Sequence, residues 1–316
     1  MPTPLKIALG MYGHTAALHD RTVPIAGVAP DFAESNDMIG AFRRMVRDLA
    51  YDVCEMAPTT YFAARSLGAP FIALPVFLMR RFHHGGIVCR KDAGIRSPAD
   101  LAGKRVGVRA YSVSTGVWTR GVLADEYGLD LAKVTWVVAD DDHVASVPLP
   151  PNVARAPADR SLAAMMVDGE LHAGFAGPAG LGNAVPRDSV SETYPDLFPD
   201  PAPLEADWFR RTGIYPLHGL VVVKEDILAA EPALASSLFR ALVAAKELYL
   251  GRLESGDATG AEDRRYRALA DIVGDPLPYG LAPNRPAIDA LIDYTYQQGL
   301  IPRRPALHEL FHDPQA

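Results

Sequence analysis

Strand-like apolar runs alternate with helix-like amphipathic runs along nearly the whole chain. The strand signals are short stretches rich in Val, Ile, Leu, Phe and Ala, bounded by glycine, proline or polar residues. The stretches predicted as strands are residues 6–11, 51–56, 71–78, 86–90, 105–109, 134–139, 173–176 and 217–223. This alternation predicts an α/β fold with mostly parallel sheets whose faces are covered by helices.

Helix-start signals lie between these runs. Ser35 or Asn36 is predicted to cap a helix that continues to Leu49, and Thr59 or Thr60 to open a shorter helix. Further helix starts are predicted at Ser97, near Ser112, at Ser161 and near Pro232. Residues 178–203 are rich in proline and glycine and are predicted to form a long surface connection.

Length and composition limit the class of protein. A chain of 316 residues is long for one compact core, which predicts two domains or lobes. The formal net charge of −7 and the lack of a basic run argue against a nucleic-acid partner. No apolar run reaches the about 18 residues that a membrane-spanning helix needs, so no membrane partner is expected. The subunit number stays open, and a homo-oligomer is compatible with the sequence.

The N-terminus and the cysteines favour a cytoplasmic location. The start MPTPLKIALGMYGH lacks the charged segment, apolar stretch and small-residue cleavage site of an export signal. Cys54 and Cys89 are the two cysteines, and they lie in strand-like runs without metal-ligand spacing. They are predicted to be buried thiols in a reducing compartment.

Polar side chains are predicted to meet at one edge of the fold. Ligands of open α/β sheets bind beyond the carboxyl ends of the strands, so the residues that follow strands are candidates for a site. Glu55 ends the second predicted strand, Arg80 and Arg81 follow the third, and Tyr111 and Ser112 follow the run 105–109. We expect these residues to face one crevice.

The segment LMRRFHHGGIVCR concentrates four cationic or titratable groups between two apolar runs. They are Arg80, Arg81, His83 and His84. Arginine keeps its charge and binds carboxylates through paired hydrogen bonds, whereas histidine changes charge near neutral pH. The segment therefore predicts a site that holds an anion and moves a proton, although a solvated connection would also carry such residues.

A hydroxyl-rich helix start offers a second contact for an anion. Ser112, Ser114 and Thr115 lie where a helix begins, and its free N–H groups and positive dipole end favour negative charge. One of these hydroxyls is expected to serve as the ordinary N-cap. Thr60 has the same relation to the earlier helix start.

Two other patterns are weaker. Asp140, Asp141, Asp142 and His143 have the chemistry of metal ligands, but four consecutive residues cannot all point at one ion, so no metal is predicted. The glycines between residues 174 and 182 lack the strand, glycine turn and helix order of a dinucleotide site. No cofactor is therefore predicted.

Several segments resemble, in order and spacing, the 4,5-dihydroxyphthalate decarboxylase family. They are YDVCEMAPTTYFAARSLG, LPVFLMRRFHHGGIVCR, SPADLAGKRVGVRAYSVSTGVWTRGVLADEYGLD and FRRTGIYPLHGLVVVKEDIL, and the resemblance covers nearly the whole chain. It implies a type II periplasmic-binding-protein-like fold, in which two α/β lobes are joined by a hinge and the ligand lies in the crevice between them. On that fold, lobe 1 would comprise residues 1–106 and 215–316, and lobe 2 residues 107–214.

The resemblance implies cofactor-independent decarboxylation of a hydroxylated aromatic carboxylic acid such as 4,5-dihydroxyphthalate. The ring carbon that bears the carboxylate must be protonated while a phenolic oxygen donates charge into the ring, and the C–C bond then breaks. Arg80 or Arg81 is expected to orient a carboxylate. His83, His84 or His218 is expected to supply the proton.

The remaining site candidates are an acceptor and several rings. Glu55, at a strand end where its pKa is free to rise, is expected to take charge from the ring hydroxyl. Tyr12, Tyr111 and Trp118 are candidates to stack on the substrate, and a core position suits Trp118 equally well. His218 would lie at the start of the strand that returns to lobe 1, where a satisfied hinge histidine is equally expected.

Two alternatives to the decarboxylase remain open. The first is a non-catalytic solute-binding protein for a small aromatic or other organic anion, because a fold does not determine a function. The second is an enzyme of the same fold that acts on a non-aromatic anion. An export signal would favour the binding protein, whereas buried titratable groups favour an enzyme.

Overall fold

The computed structural model describes residues 1–34, 37–182 and 194–314. The strands are β1 (Thr3–Ala8), β2 (Val28–Phe32), β3 (Val53–Met56), β4 (Phe71–Arg80), β5 (Ile87–Cys89), β6 (Arg105–Val108), β7 (Thr135–Val138), β8 (Val153–Arg155), β9 (Ala173–Phe175) and β10 (Leu217–Lys224). The helices are α1 (Ala16–His19), α2 (Met38–Asp48), α3 (Pro58–Ser66), α4 (Ser114–Tyr127), α5 (Leu162–Val167), α6 (Pro201–Thr212), α7 (Glu225–Ala230), α8 (Leu234–Ser255), α9 (Ala261–Val273), α10 (Arg285–Gln297) and α11 (Leu307–Leu310).

The chain divides into two compact units. Unit 1 contains residues 1–81, 213–289 and 304–316, and unit 2 contains residues 82–212 and 290–303. The first passage between units follows Arg81, whereas the sequence places it near Val106. The difference arises because β5 and β6 both pair with β9, so the segment that joins them belongs to the second sheet.

Unit 1 is built on a five-stranded sheet of order β2-β1-β3-β10-β4. Strand β1 is parallel to β2 and β3, and β10 is antiparallel to both β3 and β4. Strands β1 to β4 therefore run in one direction, and the carboxyl ends of β1, β3 and β4 meet the amino end of β10 at one edge. The edge predicted from the sequence to bind a ligand thus gains the first residues of β10.

The edge strand β2 is an element that the sequence pattern does not predict. Its sequence is VAPDF, and Pro30 at its centre lies opposite Leu5 of β1. Proline cannot donate a hydrogen bond to a strand on its other side, so it is tolerated at a sheet edge. The position of β2 at the end of the sheet order explains how it forms.

Apolar helix faces cover the sheet of unit 1. Helix α8 buries Leu238, Leu242 and Ala245 in the same cluster as β-strand residues such as Ile7 and Val221. Helix α2 is capped by Asp37, whose carboxylate accepts the Gly40 N–H at 2.8 Å. The predicted caps of α2, residues 35 and 36, lie outside the described residues.

Unit 2 is built on a second five-stranded sheet, of order β5-β9-β6-β7-β8. Strands β6 to β9 are parallel, and β5 is antiparallel to β9. Its core includes Val137, Leu162, Met166 and Leu171. Helix α6 begins at Pro201, inside the predicted surface connection 178–203, and residues 183–193 of that connection lie outside the described residues.

Two further properties of the chain bear on its class. In the described ranges, no helix combines the length and the apolar character needed to cross a membrane. Cys54 and Cys89 are free and buried, which confirms the prediction of buried thiols.

Candidate active site

A buried carboxylate lies at the carboxyl-end edge of the sheet in unit 1. Glu55 of β3 is 1% exposed. Its Oε2 accepts the Gly10 N–H at 3.0 Å, and the Tyr12 hydroxyl lies 2.9 Å from Oε1 and 3.1 Å from Oε2. Tyr12 is only partly buried. The phenol therefore lies between the buried carboxyl group and more accessible space.

Two glycines, one in the loop after β1 and one in β10, leave room for this pair. A Cβ atom on Gly10 would lie 2.4 Å from Cζ of Tyr12, so the ring packs directly on the backbone. A Cβ atom on Gly219 of β10 would lie 3.0 Å from Oε1 of Glu55. Thr15 holds the loop closed, because its hydroxyl donates to the Gly10 carbonyl at 2.6 Å and accepts the Tyr12 N–H at 2.8 Å.

The environment of Glu55 favours its protonated form. Burial raises the pKa of the Glu55 carboxyl to about 7, and the hydrogen bonds from Gly10 and Tyr12 offset only part of this effect. Glu262 contributes further in the same direction. A large fraction of Glu55 therefore carries a proton at neutral pH, which is the behaviour expected of an acid–base group.

An arginine and a histidine meet at the same sheet edge, where β4 ends and β10 begins. Arg81 follows β4, His218 is the second residue of β10, and Nη2 of Arg81 lies 2.6 Å from Nε2 of His218. Arginine can only donate, so Nε2 of His218 accepts and its ring proton is on Nδ1. His218 adjoins Gly219, which links this pair to Glu55.

His218 is uncharged in this setting. Burial lowers its pKa well below the ordinary value, and the charges of Arg81 and Arg265 add to the effect. Arg81 as a whole residue is exposed. Partial burial of its guanidinium group, and after it the charge of Arg265, lowers the pKa of Arg81 to about 10. The site thus combines a neutral imidazole with an accessible guanidinium group.

Arg80 is directed into the protein rather than toward a ligand, which corrects the expectation that it binds substrate. The side chain is 1% exposed. Its guanidinium group donates to the carbonyl oxygens of Pro216 and Tyr215 and to the amide oxygen of Asn284, and it lies over the Tyr215 ring. These partners use the donors that a carboxylate would need.

Arg265 of α9 lies close to the same edge, and no sequence signal identified it. Its Nη1 donates to the Arg80 carbonyl at 2.8 Å, one residue from Arg81, and its Nη2 donates to Glu262 at 2.8 Å. Its guanidinium carbon lies 4.5 Å from the centre of the Tyr266 ring. In the sequence, Arg265 belongs to a highly charged helix that resembles an ordinary solvated face.

His14 completes the contacts around the site. It is fully buried, and its ring stacks on Tyr12 with centroids 5.3 Å apart and meets Tyr266 edge-on at 6.1 Å. Burial lowers its pKa to about 3, so it is neutral. Its position just beyond β1, like that of Glu55 at the end of β3, is the signal that could have identified it.

These contacts form a closed circuit within unit 1. The circuit runs from Glu55 through Tyr12, His14, Tyr266, Arg265, Arg80, Arg81, His218 and Gly219 back to Glu55. Of the predicted catalytic and binding residues, the structure therefore brings together Glu55, Tyr12, Arg81 and His218. Thr60 belongs to unit 1 as well, where it is buried in the first turn of α3.

The two predicted catalytic histidines of unit 2 have interior positions. His83 and His84 are each 2% exposed. The His84 N–H donates to Glu205 at 3.3 Å, its ring meets Trp208 edge-on at 5.3 Å, and burial lowers its pKa to about 4. His83 lies parallel to the ring of Trp118. Neither histidine presents its ring to solvent.

The aromatic candidates of unit 2 belong to its core. Trp118 is fully buried and meets Tyr294 edge-on at 5.7 Å, which supports the core position over stacking on a substrate. Tyr111 is 3% exposed, and the guanidinium carbon of Arg120 lies 4.0 Å from the centre of the Tyr111 ring. Arg120 also donates to the Tyr111 carbonyl and to Gln298. These contacts make Tyr111 and Trp118 parts of a packed interior.

The hydroxyl-rich start of α4 differs from the prediction in one respect. The N-cap position is held by Val113, so none of the hydroxyl residues serves as the N-cap. Ser112 instead donates its N–H and its hydroxyl to Asp142, at 2.8 and 2.5 Å. Ser114 and Thr115 occupy the first turn of the helix.

The acidic run after β7 separates its side chains. Asp140 pairs with Arg109, Asp141 pairs with Arg155, and Asp142 accepts from Ser112. Within the described ranges, no group of three or more His, Cys, Asp and Glu side chains is arranged to hold a metal ion. The directions of these three carboxylates follow the geometry expected for consecutive residues.

The fold places the chain in a known structural class. The periplasmic aliphatic sulphonate-binding protein of Escherichia coli matches all of this chain over 94% of its own length, with a TM-score of 0.59 and 14% sequence identity. The predicted periplasmic-binding-protein-like α/β fold is therefore confirmed. At this identity the likeness describes the fold alone.

Sequence comparison then identifies the family within that class. Residues 40–152 match the family model described as NMT1/THI5 like. A 4,5-dihydroxyphthalate decarboxylase of Comamonas testosteroni is 34% identical over 98% of this chain and 96% of its own length. A second, from Pseudomonas putida, is 36% identical over 65% of this chain and 81% of its own length. The chain belongs to the 4,5-dihydroxyphthalate decarboxylase family, as its segments predicted.

Proposed function

We propose that this chain removes CO2 from a hydroxylated aromatic carboxylic acid, with 4,5-dihydroxyphthalate as the first substrate to test. The observation that supports this function best is that the Glu55–Tyr12 pair and the Arg81–His218 pair lie at the same edge of one sheet. Together they supply a group that is partly protonated at neutral pH, a neutral proton acceptor and an accessible cation. These are the groups that decarboxylation of a phenolic acid needs.

The reaction consumes one proton at carbon. A ring hydroxyl para to the leaving carboxylate gives up its proton, and the electron pair on oxygen enters the ring. The carbon that bears the carboxylate accepts a proton and becomes tetrahedral. Its bond to the carboxylate then breaks, the bonding pair restores the aromatic ring, CO2 leaves and the phenolic oxygen regains a proton. 4,5-Dihydroxyphthalate thus yields 3,4-dihydroxybenzoate and CO2 without oxidation or reduction.

The Glu55–Tyr12 pair suits the delivery of the proton to carbon. Glu55 is too deeply buried to reach a ligand itself, but it contacts the Tyr12 hydroxyl through both oxygens. Burial and the Glu55 carboxyl together raise the pKa of Tyr12, so the phenol does not lose its proton alone. Tyr12 therefore passes its proton to the ring as the protonated Glu55 replaces it, in one concerted transfer.

The Arg81–His218 pair suits the other two tasks. His218 is neutral and its Nε2 is an acceptor, so it takes the proton of the ring hydroxyl when that hydroxyl replaces Arg81 as the donor. Arg81 then binds a carboxylate through charge-assisted hydrogen bonds. Relative to the sequence-based expectation, the acid and base roles of glutamate and histidine are exchanged, because burial acts on their charges in opposite directions.

The solute-binding alternative is less favoured than the enzyme. Both curated relatives are named as decarboxylases, and one of them aligns with nearly the whole chain. The buried Glu55 carboxyl, whose pKa is raised to about 7, is an acid–base group of the kind that an enzyme uses. The family and the site therefore point to the same function.

A direct assay tests the proposal. Purified protein, treated with a chelator and given no nucleotide, is incubated with 4,5-dihydroxyphthalate, and CO2 and 3,4-dihydroxybenzoate are quantified. Equimolar formation of both products supports the function. Tight binding of several hydroxybenzoates with no CO2 release from any of them would favour the solute-binding protein instead.

The cytoplasm is the proposed compartment. Cys54 and Cys89 are both buried free thiols, which suits a reducing environment. Fractionation of cells that express the native gene tests this location, and recovery of the protein in the periplasmic fraction would contradict it.

A further inference from the structure

The position of Arg265 near Arg81 indicates that the site can bind a ligand with two negative charges. The Arg265 guanidinium group donates to the carbonyl of Arg80, the residue immediately before Arg81. Its side chain is 36% exposed, so part of the group is accessible. Its guanidinium group donates to the Arg80 carbonyl and to Glu262 and also hydrogen-bonds to Tyr266, and a guanidinium group has five N–H donors in all.

The two guanidinium groups repel each other. After burial, Arg265 is the largest influence that lowers the pKa of Arg81. Arg265 also helps to keep His218 neutral. Glu262 is the carboxylate that pairs with Arg265, and it compensates for one of the two charges at most. A dianion bound to both arginines would relieve this repulsion, and a monoanion would relieve less of it.

Helix α9 fixes the direction of Arg265. The guanidinium group lies over the Tyr266 ring, and Tyr266 is fully buried against His14. His14 in turn stacks on Tyr12. The cation is therefore held on the same circuit as the proton-transfer pair, and its placement does not depend on a flexible surface side chain.

We propose that Arg265 is a specificity-determining residue: it binds one carboxylate of an aromatic 1,2-dicarboxylate while Arg81 binds the adjacent one. This inference rests on the proposed function for the identity of the substrate class. It goes further by assigning the second carboxylate to a residue of α9. An aromatic acid with one carboxylate contacts only one of the two arginines, and a 1,4-dicarboxylate cannot bring both of its carboxylates to neighbouring cations.

Binding of unreactive acids tests the inference apart from catalysis. Phthalate and benzoate lack the hydroxyl that drives decarboxylation, so their dissociation constants can be measured by calorimetry without turnover. Loss of one charge-assisted contact is expected to weaken phthalate binding to Arg265→Gln by about 10- to 100-fold. Benzoate binding is expected to change by less than about threefold, since Arg81 remains available.

Matched variants separate binding from folding. Arg264→Gln alters the adjacent, exposed arginine of α9 and is expected to leave both dissociation constants unchanged. Arg265→Lys keeps the charge but loses the paired donors, and an intermediate ratio is expected. An Arg265→Gln protein that folds and keeps the wild-type ratio of phthalate to benzoate affinity would overturn the proposal.

A measurement on the unaltered protein covers the case in which the variants do not fold. Wild-type protein should bind the 1,2-dicarboxylate at least about 10-fold more tightly than the 1,4-dicarboxylate. Equal affinity for the two isomers would overturn the proposal. If phthalate selectivity depends on Arg265 while 4,5-dihydroxyphthalate releases no CO2, the specificity inference stands and the proposed function fails.

Discussion

The hydroxyl of Tyr12 lies within hydrogen-bonding distance of both carboxylate oxygens of Glu55, at 2.9 and 3.1 Å. Glu55 is almost fully buried, and Tyr12 is the more accessible partner. A buried carboxyl group can exchange protons with a ligand only through such a neighbour. An ionised carboxylate would be costly to bury, so Glu55 favours its protonated form. Its proton can reach a ligand through the Tyr12 hydroxyl.

Removal of the Tyr12 hydroxyl should block this proton transfer. In Tyr12→Phe, kcat for 4,5-dihydroxyphthalate is expected to fall by about 10²- to 10⁴-fold, the usual contribution of positioned proton transfer. The ring stacked on His14 remains, so KM should change little. Steady-state kinetics of product formation measure both constants. A fall in affinity with unchanged kcat would instead assign Tyr12 to substrate binding.

The pH dependence of turnover should follow Glu55. Its protonated form is the active one, and its pKa is raised to about 7, so kcat/KM is expected to be level below pH 7 and to fall about tenfold per pH unit above it. Glu55→Gln should lose most activity and the break near pH 7 together. Rates measured between pH 6 and 8.5 would contradict the assignment if the variant kept the wild-type profile.

The free energy of unfolding should also depend on the ionisation of Glu55. The folded protein raises the Glu55 pKa from 4.5 to about 7, so the contribution of the neutral carboxyl is complete below pH 4.5 and is lost as pH rises through 7. This corresponds to about 3 kcal/mol at high pH. Glu55→Gln should therefore gain stability relative to wild type as pH rises from 4.5 to about 7 in urea unfolding, and a constant difference across that range would argue against a buried ionising carboxyl.

Part of this sheet edge could be predicted from the sequence, because the rule that places ligands at strand ends needs only local strand signals. Glu55 and Arg81 lie at or beyond the ends of parallel strands, and the strand-end rule depends only on reading strands correctly. Tyr12 is predicted from the sequence only as a ring that stacks on the substrate. The antiparallel course of β10, which brings His218 to the same edge, depends on sheet order and cannot be read from β10 itself.

The inward direction of Arg80 has a simple physical origin. Arg80 and Arg81 are adjacent, and successive residues at a strand end point to opposite sides, so one of the pair was bound to face inward. His83 and His84 follow directly but belong to the second unit. Arg265 could not be found, since a charged helix face has the same pattern whether or not a neighbouring strand end makes it part of a site.

Substitution of Arg80 should mainly lower stability, whereas substitution of Arg81 should mainly lower activity. Arg80→Met leaves the carbonyls of Pro216 and Tyr215 and the Asn284 amide without their buried donor, and a loss of about 3 kcal/mol or more is expected. Arg81→Met removes an exposed group and should change the free energy of unfolding by less than about 1 kcal/mol.

Activity should show the reverse order for this pair. Arg81→Met is expected to raise KM by about 10- to 100-fold, because it removes a charged hydrogen-bond donor to the substrate. Arg80→Met, assayed at a temperature where it is folded, should keep a KM close to wild type. Urea unfolding and steady-state kinetics on both variants measure the two effects, and a larger KM for Arg80→Met would return that residue to the binding site.

The charge state of His218 offers a test that needs no substrate. Burial lowers its pKa well below the ordinary value, and Arg81, 2.6 Å from Nε2, adds to this by repelling the imidazolium form. Removal of that cation in Arg81→Ala should therefore raise the His218 pKa, whereas Arg264→Gln should not change it. NMR titration of the histidine ring signals, assigned by their loss in His218→Gln, measures the value. If the pKa of His218 is the same in Arg81→Ala and in wild type, Arg81 does not keep the imidazole neutral, and the base role assigned to His218 loses its support.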